Sequence, residues 1–431
     1  MTKILLVEPH FPIPQKSRNH KNFLPIGLLK IATYLRDHNY QVKLIRGVPK
    51  NLSETEEIKK FDPKEVWVTS LFTYWAEYVR VAVQYYKNLF PRAYIKVGGI
   101  YASLLPTEDV KYYTGCDEVH QGVIPEVEEY TKSHSPDYNL LGNVNPHPID
   151  FQIIHASRGC SRYCSFCGTW KIEAEFKPKI SIKNEIQLPG VVFYDNNLLM
   201  NPYIENILDE LIDLKKVGRV KWIESQSGLD GRVLIKKPHL AEMLKEAGFR
   251  YPRIAWDWGY DQSQYIERQI EILKNVGYKS KDIFVFMLYN NEITFEEMEK
   301  KRIESWEWRI QIADCRYRPL NSLVDEYNPQ VTGQTSDDYF ISQGWDDALV
   351  KQFRRNVRRQ NICVRMGHPI YSSIAERKKL GKETLKKLRE LKTIKEKKAF
   401  LRTSGADWWI PGRLSYPKGY SHQSKSDLSE V

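Results

Sequence analysis

The strongest constraint on the fold is a repeated alternation between short apolar runs and segments with helical spacing of apolar residues. Between the early runs lie helical patterns such as Trp75–Phe90. Strands that alternate with helices predict an α/β fold with a doubly wound, mostly parallel sheet of Rossmann or flavodoxin type. Ligands of such sheets bind at the carboxyl ends of the strands, where this chain has Gly98 and Gly99. The five apolar runs of strand length are Ile4–Pro9, Val42–Arg46, Glu65–Ser70, Tyr94–Gly99 and Cys116–Gly122.

The alternation restarts after Ser133–Pro148, a stretch rich in Ser, Pro, Asn and His that is typical of a linker. Helical patterns again separate the strand-like runs, and Gly277 is placed to end one of these helices. Six such units predict a partial (β/α)6 barrel of TIM type, open on one side. Its strands are predicted at Phe151–Ser157, Val191–Asp195, Trp222–Ser227, Arg253–Asp257, Ile283–Leu288 and Arg309–Asp314.

Three domains are therefore expected. Residues 1–147 form the first sheet domain, residues 148–325 form the partial barrel, and residues 326–431 form a basic, mostly helical region. No run of about 18 apolar residues occurs, so we expect no membrane span. The short apolar stretch after Met1 has the character of a buried strand rather than of a secretory signal. Six scattered cysteines do not suggest a disulfide framework, and we expect a cytoplasmic protein.

The basic surplus of the chain lies near its C-terminus. The net charge is +11, and residues 351–431 hold 21 Lys and Arg against 7 Asp and Glu. Arginines at positions 354, 355, 358 and 359 would line one side of a helix, and Trp408 and Trp409 follow. Cationic and aromatic side chains together are typical of nucleic-acid contact. A solvated amphipathic helix with an apolar docking stripe explains the same pattern equally well.

Three of the six cysteines lie within eight positions, directly after the first predicted barrel strand. They are Cys160, Cys164 and Cys167. A four-iron cluster is normally held by four thiolates, so three ligands leave one iron open to a small molecule. The alternative is a structural zinc site, which needs four ligands. His155 is the only candidate for the fourth ligand nearby.

The spacing Cys-x3-Cys-x2-Cys, with Phe166 before the third cysteine, resembles that of the radical S-adenosylmethionine (SAM) superfamily. The resemblance implies a [4Fe-4S] cluster that binds SAM and, on receipt of one electron, cleaves it to a 5′-deoxyadenosyl radical. It also implies an electron donor such as flavodoxin or ferredoxin as a partner. In this class of enzyme the cofactor supplies the chemistry, and the protein supplies orientation and shelter.

Polar residues at later strand ends are carried over from the same resemblance as SAM-binding candidates. Asp195 and Asn196 follow the second barrel strand, Gln226 follows the third and Asp257 follows the fourth. A strand-end polar residue satisfied by the loop backbone is an equally good interpretation of Asp195, Gln226 and Asp257. The arginines that flank the cysteines, Arg158 and Arg162, are expected to be solvated loop charges.

The first domain resembles the cobalamin-binding domain that precedes the barrel in B12-dependent radical SAM enzymes. Three phrases carry this resemblance: Leu24–Leu29, Val97–Ser103 with Gly98 and Gly99, and Asp117–Gly122. The resemblance covers about residues 1–320, and it implies cobalamin as a further cofactor. The chain lacks the Asp-x-His-x-x-Gly motif that supplies a lower cobalt ligand. A purely structural Rossmann-like domain is therefore the alternative.

Together these patterns predict a radical SAM enzyme, most simply a B12-dependent type of methyltransferase or a related radical-modifying enzyme acting on an unknown substrate. Two alternatives remain open at this stage. One is a nucleic-acid-binding protein with a structural metal loop, and the other is a radical SAM enzyme that modifies a nucleic acid without cobalamin. No catalytic residue is assigned from the sequence.

Overall fold

The structure is a computed structural model that describes residues 1–12, 24–49, 51–141, 149–373, 376, 382–403 and 408–420. The chain divides into two compact units, each described by itself below. The first unit contains Met1–Ser227, Glu246–Arg250 and Arg318–Tyr327, and the second contains Gly228–Lys245, Tyr251–Tyr317 and Asn328–Val431. The predicted domain boundary between residues 147 and 148 lies outside the described residues. No described helix is both long enough and apolar enough to cross a bilayer.

The first unit begins with the predicted five-stranded parallel sheet. Its order is β2-β1-β3-β4-β5, so β2 lies on one side of β1 and the later strands are added on the other side. The strands are β1 (Lys3–Glu8), β2 (Gln41–Arg46), β3 (Glu65–Ser70), β4 (Tyr94–Gly99) and β5 (Glu118–Val119). The helices are α1 (Ile26–Asp37), α2 (Leu52–Phe61), α3 (Ala76–Leu89), α4 (Ile100–Leu104), α5 (Thr107–Thr114) and α6 (Pro125–Tyr130).

A second, three-stranded parallel sheet in this unit holds the region of the cysteines. Its order is β10-β9-β6, and every residue of β6 and β9 is buried, as expected for a parallel sheet covered on both faces. One apolar cluster contains residues of both sheets, for example Leu6 and Ile153. The elements are β6 (Phe151–Ile154), β7 (Ser157–Arg158), α7 (Thr169–Ile172), β8 (Lys177–Pro178), β9 (Gly190–Phe193), α8 (Ile204–Lys216) and β10 (Trp222–Ser225).

The second unit contains the other three predicted barrel strands. They form a separate parallel sheet in the order β11-β12-β13, so the six strands are hydrogen-bonded as three and three. The elements are α9 (Gly231–Lys236), α10 (His239–Ala247), β11 (Arg253–Ala255), α11 (Ser263–Asn275), β12 (Phe284–Tyr289), α12 (Phe295–Glu307), β13 (Gln311–Arg316), α13 (Asp347–Met366), β14 (Tyr371–Ser372), α14 (Lys382–Glu390), α15 (Ile394–Arg402) and β15 (Trp408–Trp409). Part of α10 belongs to the first unit.

Helix α13 covers the outer edge of β13. Asn361 accepts a hydrogen bond from the backbone N–H of Ile312 at 2.9 Å and donates one to its carbonyl at 2.7 Å, as a neighbouring strand would. The Arg365 guanidinium donates at 3.1 Å to the side-chain oxygen of Gln311, the residue before Ile312 in the strand. The helix itself begins at the N-cap Asp346 and ends at Gly367, which adopts the left-handed conformation.

A buried ion pair joins α12 to the C-terminal segment of the second unit. Arg302 donates two hydrogen bonds of 2.7 Å to Glu299, and both side chains are fully buried. The Arg302 guanidinium also reaches Gln360 at 2.7 Å, the carbonyl of Arg413 at 2.7 Å and the carbonyl of Pro411. These contacts tie the last described stretch of chain to the helices beneath it.

Candidate functional site

The three-cysteine segment forms a loop that is closed at its base. After β6 the chain pairs antiparallel with itself, because Ser157 faces Pro178 and Arg158 faces Lys177 in the β7–β8 ladder. Residues 159–176 form the loop between these two short strands. The cysteines therefore lie at the carboxyl end of a parallel strand, which is where α/β folds place their ligands.

Local backbone geometry fixes the shape of this cysteine loop. Gly159 has φ +74°, and a Cβ atom there would lie 2.2 Å from the carbonyl oxygen of Glu175, so only glycine fits. Between the second and third cysteines, the N–H of Cys167 donates to the carbonyl of Cys164 at 3.0 Å. The indole N–H of Trp170 donates to the same carbonyl at 3.1 Å. Two hydrogen bonds to the Cys164 carbonyl thus hold the turn that carries Cys164 and Cys167.

The donor set fits an iron–sulfur cluster in number and type. Cys160, Cys164 and Cys167 form no disulfide and are of intermediate exposure, as a site open to a small molecule requires. Of the other cysteines, Cys116 and Cys363 are buried and Cys315 is exposed. Within the described ranges, no group of three or more His, Cys, Asp or Glu side chains is arranged to hold a single metal ion. Thiolates that bind different irons of one cluster need not converge on a point, so this finding bears on a single-ion site and not on a cluster.

His155, the nearby candidate for a fourth ligand, is buried at the end of β6. Burial holds the pKa of its imidazole well below 6.5, and the positive charges of Arg158, Lys30 and Lys179 lower it further. The ring is therefore neutral at physiological pH.

The Asp195 carboxylate is fully buried and joins the ends of two strands. It accepts hydrogen bonds from the N–H of Ala156 at 3.0 Å, the N–H of Ser157 at 2.5 Å and the Ser157 hydroxyl at 2.7 Å. Burial raises the pKa of Asp195 to about 6, although these donors act to lower it. These are the contacts of a strand-end residue satisfied by loop backbone, and a role of Asp195 in binding SAM stays a prediction.

Asn196 lies closer to the cysteines and is exposed. Its amide nitrogen donates to Glu173 at 3.2 Å, and its oxygen accepts from the Thr169 hydroxyl at 3.2 Å. That hydroxyl is in turn 3.3 Å from the sulfur of Cys167. Asn196 is therefore hydrogen-bonded to the cysteine loop, which its position in the sequence alone did not reveal.

Gln226 and Asp257 belong to different units and are described separately. Gln226 is half-buried, and its N–H donates to the carbonyl of Phe193 at 2.9 Å. Burial raises the pKa of Asp257 to about 6, while the charge of Lys301 opposes that rise. Lys301 is fully buried and donates to the carbonyls of Trp256 and Trp258, both at 2.7 Å, so it holds the backbone on both sides of Asp257.

The expectation that Arg158 is a solvated charge is wrong. Its side chain is 21% exposed, and it pairs with Glu173 on one side and approaches Glu128 to 3.9 Å on the other. Arg162, the second flanking arginine, is half-buried and lies 3.7 Å from the sulfur of Met200. Glu173 and Glu128 were not recognised in the sequence, because acidic residues at these spacings carry no local signal.

The glycine pair of the first sheet lies beside the cysteine loop. Gly99 has φ +100°, and a Cβ atom there would lie 2.2 Å from the carbonyl oxygen of Ser70, so close packing alone requires this glycine. Helix α4, which follows it, packs against α7, the helix just after Cys167. Gly98 is next to His120, whose buried Nε2 has no hydrogen-bond partner among the described residues. This edge of the sheet has a buried polar atom that a ligand could bond, but nothing here is specific to a corrin.

The arginines of α13 have partners within the second unit. Arg355 donates to Gln352 at 2.6 Å, Arg358 pairs with Glu376, and Arg359 lies over the rings of Tyr371 and Trp409. The positive charge of Arg354 opposes the rise in the pKa of Asp314, which burial raises to about 6. The alternative apolar docking stripe consists of Leu380, Leu385, Leu388 and Leu391, of which Leu380 lies outside the described residues. The predicted contact with nucleic acid stays a prediction.

Comparisons with known proteins find similarity only among solved structures. No family model matches the chain, and no curated protein sequence matches it. The structure of the cobalamin-dependent S-adenosylmethionine radical enzyme OxsB without ligands is 13% identical, with a TM-score of 0.46, over 72% of this chain and 51% of that one. OxsB with aqua-cobalamin and S-adenosylmethionine bound gives 11% identity and a TM-score of 0.47, over 85% and 56%.

A cobalamin-binding protein from Desulfitobacterium hafniense is similar to a smaller part of the chain. It is 17% identical, with a TM-score of 0.22, over 30% of this chain and 58% of its own. This chain spans about half the length of the first OxsB structure. Likeness of this degree says nothing about activity.

Proposed function

We propose that the chain is a radical SAM enzyme that binds a [4Fe-4S] cluster through Cys160, Cys164 and Cys167. The observation that supports this most directly is the closed loop after β6, which presents three half-buried cysteines outside any disulfide and no fourth cysteine. When bound, the cluster would supply the electron that cleaves SAM. Methyl transfer with the help of cobalamin is the reaction we infer for the class, and the substrate is not identified.

The chain's own residues would bind, orient and shelter the reacting groups. The three thiolates would hold the cluster, and Phe166 lies among them as a half-buried apolar neighbour. The exposed amide of Asn196 is available at the rim of the loop for the polar end of SAM. Gln226 and Asp257 remain candidates for the carboxylate and the ribose. Gly98 and His120 would border a corrin at the edge of the first sheet, if one binds there.

The test is anaerobic purification with cobalamin supplied, followed by reconstitution with iron and sulfide. We expect about four irons for each chain, as one four-iron cluster requires, and 5′-deoxyadenosine when SAM and a reductant are added. Alanine in place of any of the three clustered cysteines should abolish both. Cys315→Ala is the matched control, because Cys315 is an exposed cysteine outside the loop and outside any disulfide.

The enzyme assignment, cobalamin binding and nucleic-acid binding are each tested by a different result. Wild-type protein that takes up no iron, or that holds iron but never cleaves SAM, would overturn the enzyme assignment. Corrin analysis of the purified protein tests cobalamin separately, since cluster and SAM cleavage do not require it. Salt-dependent nucleic-acid binding that survives loss of all three clustered cysteines would instead support the alternative of a binding protein.

A further inference from the structure

A series of charged contacts joins the first sheet domain to the cysteine loop. Lys30 of α1 pairs with Glu128 of α6 at 2.8 Å, and Glu128 lies 3.9 Å from Arg158 of β7. Arg158 then pairs with Glu173, just beyond α7. The four side chains are only 13–21% exposed, so water screens these interactions much less than it screens a surface pair.

Glu173 is the member of this series that contacts the loop itself. Its Oε1 accepts from Arg158, and its Oε2 accepts from the backbone N–H of Gly159 at 2.8 Å and from the Asn196 amide at 3.2 Å. Gly159 directly precedes Cys160. The Glu173 carboxylate, which follows α7, therefore holds Gly159 at the start of the loop. It also holds Asn196, which follows β9.

The contacts of Glu173 extend toward both ends of the cysteine segment. On the entry side it holds the residue before Cys160. On the exit side Asn196, which donates to Glu173, also accepts a hydrogen bond from the Thr169 hydroxyl. That hydroxyl is 3.3 Å from the sulfur of Cys167. The loop is thus ordered by a side chain that is not itself a metal ligand.

We propose that Glu173 is a positioning residue for the three thiolates, anchored to the first domain through Arg158, Glu128 and Lys30. This inference rests on the proposed function, because it assumes that the thiolates bind a cluster. Residues that orient metal ligands are often nearly as important as the ligands, and their loss typically weakens metal binding about 10–100-fold. Glu173 should act in this way, because without it Arg158 and the N–H of Gly159 both lose their acceptor.

The experiment compares Glu173→Ala, Glu173→Gln and a control in the full-length chain. Glu185→Gln is the control, because Glu185 forms a pair of similar exposure with Lys179 at 2.7 Å, and its carboxylate bonds Lys179 rather than residues 159–176. Each reconstituted protein is challenged with an iron chelator, and the reduced cluster is examined by electron paramagnetic resonance. We expect Glu173→Ala to lose iron about 10–100-fold more readily and to give an altered spectrum.

The conservative variant and the metal-free protein make the result specific. Glu173→Gln keeps an oxygen for the N–H of Gly159 but loses the ion pair, so its iron retention should lie between alanine and wild type. In the metal-free chain, hydrogen exchange at residues 159–169 should be faster in Glu173→Ala than in Glu185→Gln. Glu128→Gln should give a smaller increase in the same region, because it acts only through Arg158.

Failure of this inference is distinct from failure of the proposed function. If Glu173→Ala retains iron, spectrum and exchange rates like those of Glu185→Gln, Glu173 is not a positioning residue even though the cluster forms. If wild-type protein takes up no iron, the proposed function fails. The exchange measurement on the metal-free chain still decides in that case whether Glu173 orders the loop.

Discussion

Replacing Arg302 with Met tests how strongly the second unit depends on its buried ion pair. The substitution keeps an apolar stem of similar length but leaves the Glu299 carboxylate buried without its counter-ion. Glu299 would retain only the Asn356 amide at 3.1 Å and the N–H of Ser415 at 3.2 Å. Removing one partner of such a pair typically costs about 3–5 kcal/mol. For a unit of this size each kcal/mol lowers the melting temperature by about 2–4 °C, so we expect a fall of about 6–20 °C.

Differential scanning calorimetry measures that fall, and limited proteolysis reports on the C-terminal segment. Because Arg302 binds the carbonyls of Pro411 and Arg413, we expect faster cleavage near those residues in the variant. Adding Glu299→Leu should restore only part of the stability, since the N–H of Ser415 and the carbonyls of Pro411 and Arg413 would have lost their side-chain partners. Glu390→Gln, which removes the exposed partner of Lys386, is the control and should leave the melting temperature unchanged. A shift in Arg302→Met below about 3 °C, or about 1 kcal/mol, would refute the reasoning.

Three further predictions concern other sites. Gly99→Ala should lower the free energy of unfolding by about 2–5 kcal/mol, because alanine there is strained at positive φ and collides with the backbone of Ser70. Gly115→Ala, where φ is +79° but the space is open, should lower it by only about 1–2 kcal/mol. Equal losses of the two variants in urea titrations would contradict this. Burial lowers the pKa of Lys301 from 10.5 to about 8, so between these values the unfolded chain binds more protons and stability should rise with pH. Lys301→Met should remove this contribution, seen as a less positive slope of melting temperature against pH than that of the wild type between those two pH values. Asn361→Ala should cost about 1–3 kcal/mol in urea unfolding, because both backbone groups of Ile312 lose their partner.

The strands and the cysteine loop were predictable because their signals are local. The predicted runs Glu65–Ser70 and Tyr94–Gly99 coincide with β3 and β4, in which Val66, Val68, Ile95 and Val97 are the buried alternate positions. Helix α8 buries all six apolar residues that recur at helical spacing in its sequence, namely Ile204, Ile207, Leu208, Leu211, Ile212 and Leu214. The left-handed Gly277 was likewise expected at a helix end. The fold class and the position of the cysteines after a strand therefore follow from short stretches of sequence.

What the sequence did not reveal depends on residues far apart in the chain. Lys30, Glu128, Arg158 and Glu173 come from four different elements, and no spacing rule relates them. The division of six strands into two sheets is equally non-local. Single bridges join Ile223 to Phe249 within the first unit and Leu229 to Ile254 within the second. Pattern alone cannot distinguish a continuous ladder from such isolated pairs.

The contact between Asn361 and Ile312 also has a consequence for behaviour at high concentration. An uncovered outermost strand offers its amides and carbonyls to a strand of a second molecule, and this is a common route to aggregation. In β13 the side-chain amide of Asn361 already occupies both groups of Ile312, and α13 lies along the same edge. Helix α13 and the Asn361 amide together therefore keep this edge from pairing with a strand of a second molecule, so the same contact that stabilises the fold also favours solubility.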